Sequence, residues 1–109
     1  MNKFETVILL TPDISTTIVD KEEESFLNSI LKNEGKIINQ EDWGLRDLSY
    51  NIKNYKKAFY KFYQIEINGS KIQDIKKNLS QNEKIMRHLF VKVETHQELP
   101  TKMIKNEEK

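Results

Sequence analysis

An α+β domain, with a four-stranded antiparallel sheet and two helices on one face, is what this sequence predicts, and three observations predict it. The segments KFETVILL at 3–10 and AFYKFYQIEI at 58–67 are rich in aromatic and β-branched residues and end at Thr11-Pro12 and Asn68-Gly69, which is strand composition with strand punctuation. Two other stretches repeat apolar residues at helical spacing: Ile18, Phe26 and Ile30 beside Val19, Leu27 and Leu31, and later Ile72, Ile75 and Leu79. The chain has 109 residues, 37% of them hydrophobic and 32% charged, which suits one small domain beneath a highly charged surface.

The elements follow in order. The first strand stops at Pro12, and Ser15, Thr16 or Thr17 can cap the helix that runs to about residue 33, with Gly35 just past its end. The acids from Asp20 to Glu24 are placed in its first turns, where the helix dipole favours negative charge. Residues 36–49, KIINQEDWGLRDLS, read as a second strand with Gly44 as a bulge or bend. Residues 50–57 carry Asn51, Asn54 and three lysines and read as an exposed connection to the strand at 58–67. Ser70 with Gln73 makes a capping box for the second helix. IMRHLFVKVE at 85–94 is the last strand. Residues 95–109 are polar, contain Pro100, and are expected to be a flexible tail after a domain spanning 1–94. Strand, helix, strand, strand, helix, strand is the ferredoxin-like split βαβ pattern, and it leaves one sheet face without helices.

Composition excludes several functions. There are no cysteines, hence no disulfides, thiolate metal sites or cysteine nucleophiles. His88 and His96 are read as solvated or edge residues, so no metal and no cofactor is expected. No run reaches the roughly 18 apolar residues of a membrane span, the N-terminal apolar stretch reads as a strand and not as a signal peptide, and a cytoplasmic protein is expected. The acceptor patterns at Asn68 and Asn78 are then chance matches. The net charge of +1 hides an uneven distribution. Residues 20–34 carry −3, whereas 44–61 and 71–92 each carry +4. A polyanion could meet the basic half, yet so weak an overall field would hold nucleic acid poorly without help.

Alternation sorts the strand faces. Phe4, Thr6, Ile8 and Leu10 share the helix-facing phase with Phe59, Tyr63, Ile65 and Ile67. Glu5, Val7 and Leu9, with Tyr60, Phe62, Gln64 and Glu66, fall on the open face. The last strand is ambiguous, because Leu89 and Val91 oppose His88 and Phe90. An apolar patch of Val7, Leu9, Tyr60 and Phe62 calls for a partner, and changing Tyr60 and Phe62 to serine should weaken that partner while leaving the fold intact. Aromatics on an open sheet can stack unpaired bases, as in RNA-recognition-motif domains, but KAFYKFY at 57–63 matches that family's motif poorly. The acylphosphatases share the fold, but the loop Thr11-Pro12-Asp13-Ile14-Ser15 lacks the glycines and arginine they need to hold an anion. No catalytic set can be argued from the spacing, so an enzyme is not expected and no small-molecule substrate is assigned.

The run GLRDLSYNIK at 44–53 closely resembles the signature of the bacterial small-subunit ribosomal protein six family. Gly44, Arg46, Asp47, Leu48, Ser49, Tyr50, Ile52 and Lys53 fill its positions, with Glu41-Asp42-Trp43 before it and Lys57-Ala58 after it. The likeness extends from residue 1 to about 94. Asn51 stands where proline is frequent, and Asp47 where a base is frequent. The resemblance implies a non-catalytic ribosomal component, located on the small subunit in the cytoplasm. It would bind the central domain of small-subunit (16S) ribosomal RNA together with small-subunit protein eighteen. Phosphate contacts are then expected from Lys3, Arg46, Lys53, Lys56, Lys57, Arg87 and Lys92. The protein partner is expected on Val7, Leu9, Tyr60, Phe62 and Leu89 and at the strand-to-tail junction. Within the motif, Leu48 and Ile52 are expected as core anchors and Tyr50 as the residue that secures the turn.

Overall fold

The computed structural model describes residues 2–96. Six elements follow one another: β1 (Asn2–Leu10), α1 (Thr16–Lys32), β2 (Lys36–Ile52), β3 (Tyr55–Ile67), α2 (Gly69–Ser80) and β4 (Ile85–Val93). The strands form one antiparallel sheet in the order β2-β3-β1-β4. Phe4 lies opposite Ile65, Thr6 opposite Tyr63 and Leu10 opposite Phe59, so the residues that alternation places on one face do share it. Val19, Phe26 and Ile30 of α1 and Ile72, Ile75 and Leu79 of α2 pack on that face against Phe4, Ile8, Leu10, Tyr63, Ile65 and Ile67. The register of β4 resolves its ambiguity. Phe90 pairs with Thr6 and packs against the helix-side core, whereas Leu89 pairs with Val7 and faces away from it. No helix among the described residues is long and apolar enough to cross a membrane.

The helix ends depart from expectation in three places. Ser15 does cap α1, its side chain accepting from Ile18 N–H, but the helix starts at once, so the acids fall beyond its first turn. They act through contacts. Glu23 Oε2 accepts from the Tyr63 hydroxyl at 2.8 Å, and Glu22 accepts from Asn82 and lies 3.8 Å from Lys84 Nζ. At the C-terminus Glu34, not Gly35, takes the left-handed conformation, with φ 65°. Its N–H bonds to Leu31 O and that of Gly35 to Ile30 O, the paired bonds of a Schellman end. Gly35 is needed for space, because a Cβ there would lie 2.7 Å from Ile30 Cγ2. The third departure is the cap of α2. Asn68 supplies it, accepting from Ser70 N–H at 3.0 Å, so the expected Ser70 box is displaced.

The largest departure is the connection expected at 50–57. There β2 and β3 continue as a long hairpin closed by only two residues, Lys53 (φ 51°) and Asn54 (φ 70°). Two consecutive positive φ values match the twist of the flanking strands, and asparagine tolerates them well. Leu48, Ile52 and Tyr55 pack with Val7 and Tyr60 around buried Leu9, Ala58 and Met86. These residues form a second, smaller core on the helix-free face, so Leu48 and Ile52 anchor this cluster and not the main one. Of the expected tail, Thr95 and His96 are described, and residues 97–109 lie outside the described residues. His96 is half-buried, with Nε2 at 3.2 Å from both Phe4 O and Ile65 O. The chain therefore turns back after β4 and crosses β1 to reach the seam with β3.

Candidate nucleic-acid interface

The site grows out of a break in β2. The register slips between Asp42 and Gly44, where Gly44 takes φ +75° and its N–H bonds to Asp42 Oδ1 at 2.8 Å. This bulge sets the Trp43 indole against Phe62, with ring centroids 5.2 Å apart and planes 10° apart, and against Tyr60 at 6.3 Å and 24°. The indole N–H donates to Glu41 Oε1. The Arg46 guanidinium lies 5.7 Å from the indole centroid and donates through Nε to Trp43 O. A side chain at position 44 would meet no atom within 4 Å, so the cost of Gly44→Ala is conformational. Unfolding in urea should show a loss of about 1–2 kcal/mol.

Beyond the bulge, two bonds tie the hairpin tip to the rest of the domain, one to the loop after β1 and one to β4. The Tyr55 hydroxyl donates to Asp13 Oδ2 at 2.9 Å, and this bond holds the Asp13 carboxyl below its usual range and the Tyr55 phenol above its own. Arg87 Nη1 donates to the Tyr50 hydroxyl at 2.9 Å, and its guanidinium carbon lies 5.9 Å from the ring centroid. Tyr50, expected to secure the turn, is bonded instead to β4.

The seven expected phosphate contacts fall into different situations. Lys53, Lys56 and Arg87 are exposed around the tip, and among the described residues none of them bonds a carboxylate. Lys57 is 3.7 Å from Asp47, with both side chains largely in water, so the pair is weak. Arg46 is held by Trp43. Lys3 and Lys92 sit at the far end of the sheet, opposite Val93 and Phe4. Six residues of strand, about 20 Å, separate Lys3 from the Leu9–Arg87 pair. The structure does not bring these two groups together.

The expected protein-partner patch changes shape. Leu9 and Phe62 are buried, at 7% and 3% exposure, beneath the curled hairpin and Trp43. Val7 and Tyr60 are half-buried. Leu89 and Val91 remain exposed, and with Arg87 they line one face of β4. Alternation identified the face correctly, but it could not show that the hairpin bends over part of it.

Lys61 is one of the bases in the +4 stretch of residues 44–61. It lies in the helix-facing phase between Phe59 and Tyr63 and is 5% exposed, with Nζ 2.9 Å from Asp42 Oδ2 and 3.6 Å from Glu23 Oε2. Burial alone would lower its pKa, but the hydrogen bond to Asp42 and the charges of Glu23 and Asp42 outweigh that and raise it. The signal was legible in the alternation, because a lysine in a core phase needs anions. His88 meets Ser80 Oγ at 3.1 Å, and burial with nearby Lys76 lowers its pKa. No three metal-ligating side chains cluster among the described residues.

The comparisons with known proteins agree with one another. The family model for Ribosomal protein S6 matches residues 3–92. The chain is 34% identical over 107 residues to a small ribosomal subunit protein bS6 from Rickettsia felis, covering 98% of this chain and 88% of that protein. It is 31% identical over 105 residues to the bS6 of Zymomonas mobilis, covering 96% and 85%. In three dimensions it is similar to the crystal structure of 30S ribosomal protein S6 from Thermotoga maritima. The TM-score is 0.82 at 18% identity, covering 98% of this chain and 94% of that one.

Proposed function

Since the chain belongs to the ribosomal protein S6 family, we propose that it is a structural component of the small ribosomal subunit that binds the central domain of 16S ribosomal RNA jointly with small-subunit protein eighteen. The relatives named above are ribosomal components, and that similarity supports a protein without catalytic activity. One observation carries the joint mode. Arg87, Leu89 and Val91 alternate along one face of β4, so the cations of the hairpin tip, which bond no carboxylate among the described residues, run directly into an exposed apolar strip. A cationic tip alone gives loose phosphate contact that salt weakens. A protein seated on Leu89 and Val91 adds apolar burial and brings its own charge to the same RNA.

The geometry of the two ends suggests a division of labour. Lys53, Lys56 and Arg87 meet phosphates at the tip, while Lys3, in the phase of the helix-free face, and Lys92, in the helix-side phase, serve separate stretches of backbone about 20 Å away. Arg46, held over Trp43, and Lys57, shared with Asp47, contribute less. Tyr60 and Val7 border the protein contact, and Leu9 and Phe62 support it from beneath.

The test separates the two contacts. Leu89→Asp changes a side chain that is 56% exposed, so it should alter stability by less than about 1 kcal/mol. It should weaken binding to protein eighteen at least about tenfold. In filter binding to a central-domain RNA fragment, the wild-type chain should bind loosely alone and far more tightly with protein eighteen present. Equal and tight binding with and without that protein would overturn the joint mechanism.

A further inference from the structure

We infer that Tyr50 is a base-stacking residue: an unpaired nucleobase of the RNA lies on the open side of its ring, with neighbouring phosphates on Arg87, Lys53 and Lys56. This rests on the RNA reading above and adds to it a contact with a base.

Of the ten aromatic residues in the chain, nine are buried or half-buried and Tyr50 alone is exposed, at 59%. The aromatics of the sheet face are poorly placed for stacking. Trp43 has Phe62 against one face and the Arg46 guanidinium over the ring, Phe62 is buried, and Tyr55 packs into the second core with its hydroxyl on Asp13. Stacking therefore moves from the open sheet, where RNA-recognition-motif domains place it, to the hairpin tip.

Three features make Tyr50 a built contact. The bond from Arg87 Nη1 to its hydroxyl, with the guanidinium 5.9 Å from the ring, fixes the ring before anything binds. Fixing it beforehand lowers the cost of ordering it later. The two-residue turn holds Lys53 three residues away, and Lys56 follows on the returning strand. Neither lysine bonds a carboxylate among the described residues. An exposed aromatic ring bonded to Arg87, on a hairpin whose tip also carries Lys53 and Lys56, offers a base a π-face with cations on the same element for its phosphates. Bases inside an A-form duplex do not present their faces, so the ligand is a loop, bulge or junction nucleotide.

The experiment measures affinity for the central-domain RNA fragment in the presence of protein eighteen, across a salt series. Tyr50→Leu is expected to weaken binding about tenfold and leave the slope of log affinity against log salt unchanged, because no charge is lost. Tyr50→Trp should bind at least as tightly as wild type, which a residue that only pins the hairpin would not explain. Lys53→Gln with Lys56→Gln should flatten the salt slope. If the lysine changes weaken binding but Tyr50→Leu does not, the stacking inference is wrong and the RNA reading stands. If neither set has any effect, the RNA reading fails at this tip as well. If Tyr50→Leu weakens binding to protein eighteen without RNA by the same factor, the ring serves a protein contact and the inference is overturned. Urea midpoints of each variant show whether hairpin stability has changed, and Tyr50→Trp keeps the test valid if Tyr50→Leu loosens the fold.

Discussion

Phe62→Ser should lower the free energy of unfolding by about 4 kcal/mol, visible as a large fall in the urea midpoint with little change in slope. The side chain is 3% exposed and stacks face to face with Trp43 at 5.2 Å. Serine would remove that stack, leave a cavity beneath the indole, and bury a hydroxyl with no partner arranged for it. For a domain with about 5–15 kcal/mol in total, this approaches loss of the fold. Alternation alone suggested the opposite outcome, a silent change that merely weakens a partner. Tyr60→Ser, at a half-buried position, should cost about 1–2 kcal/mol. A Phe62→Ser variant as stable as wild type would show that Trp43 does not cover it.

Lys61→Ala is the second large effect, a loss of about 2–3 kcal/mol at neutral pH. Removing one partner of a buried pair leaves an uncompensated charge, but Asp42 is 62% exposed and water recovers part of the loss. The pH dependence has a defined sign. The Lys61 pKa is raised above 10.5, so its contribution is complete below that value and disappears as pH rises through the folded-state value. Burial would raise Asp42, yet the hydrogen bond from Lys61, the Gly44 N–H and the Lys61 charge bring it below 3.8. Its contribution is present above 3.8 and is lost as pH falls through the lowered value. The stability difference between wild type and Lys61→Ala should therefore be flat through neutrality and shrink at both extremes. Tyr63 adds to the alkaline limb of both proteins, because burial first and Glu23 second hold its phenol above the ordinary range. A difference independent of pH from acid to alkali would exclude the ion pairs as its source.

The fold was legible because its strands alternate cleanly. Phe4, Ile8 and Leu10 and Tyr63, Ile65 and Ile67 announce their face without help from neighbours. The hairpin at 50–57 was not legible, because Asn51, Lys53, Asn54, Lys56 and Lys57 are all residues that loops favour. What makes this stretch strand is burial of Ile52 and Tyr55 on Leu9 and Met86, which are distant in sequence. Trp43 had no assigned face, since the bulge at Gly44 breaks the two-residue period just there. The candidate site suffered most. Its basic residues could be named from type, but the Arg87–Tyr50 and Arg46–Trp43 contacts decide which of them are held and which are open. One of those contacts spans 37 residues, and no local pattern encodes it.

The sheet order carries a consequence for how the chain is made. β1, made before the other three strands, lies inside the sheet, and its neighbours are β3 and β4. Lys3 waits for Glu66 on one side and Val93 on the other. The β2–β3 hairpin, closed by two residues, can form within microseconds of emerging, but KFETVILL has nothing to pair with until β3 has been made. At about 5–20 residues per second, that leaves an apolar strand with both edges bare for several seconds on every chain produced. Such long-range closure folds slowly and invites mispairing with a neighbouring nascent chain. The segment most exposed to chaperones and to aggregation is thus the one that ends up best covered.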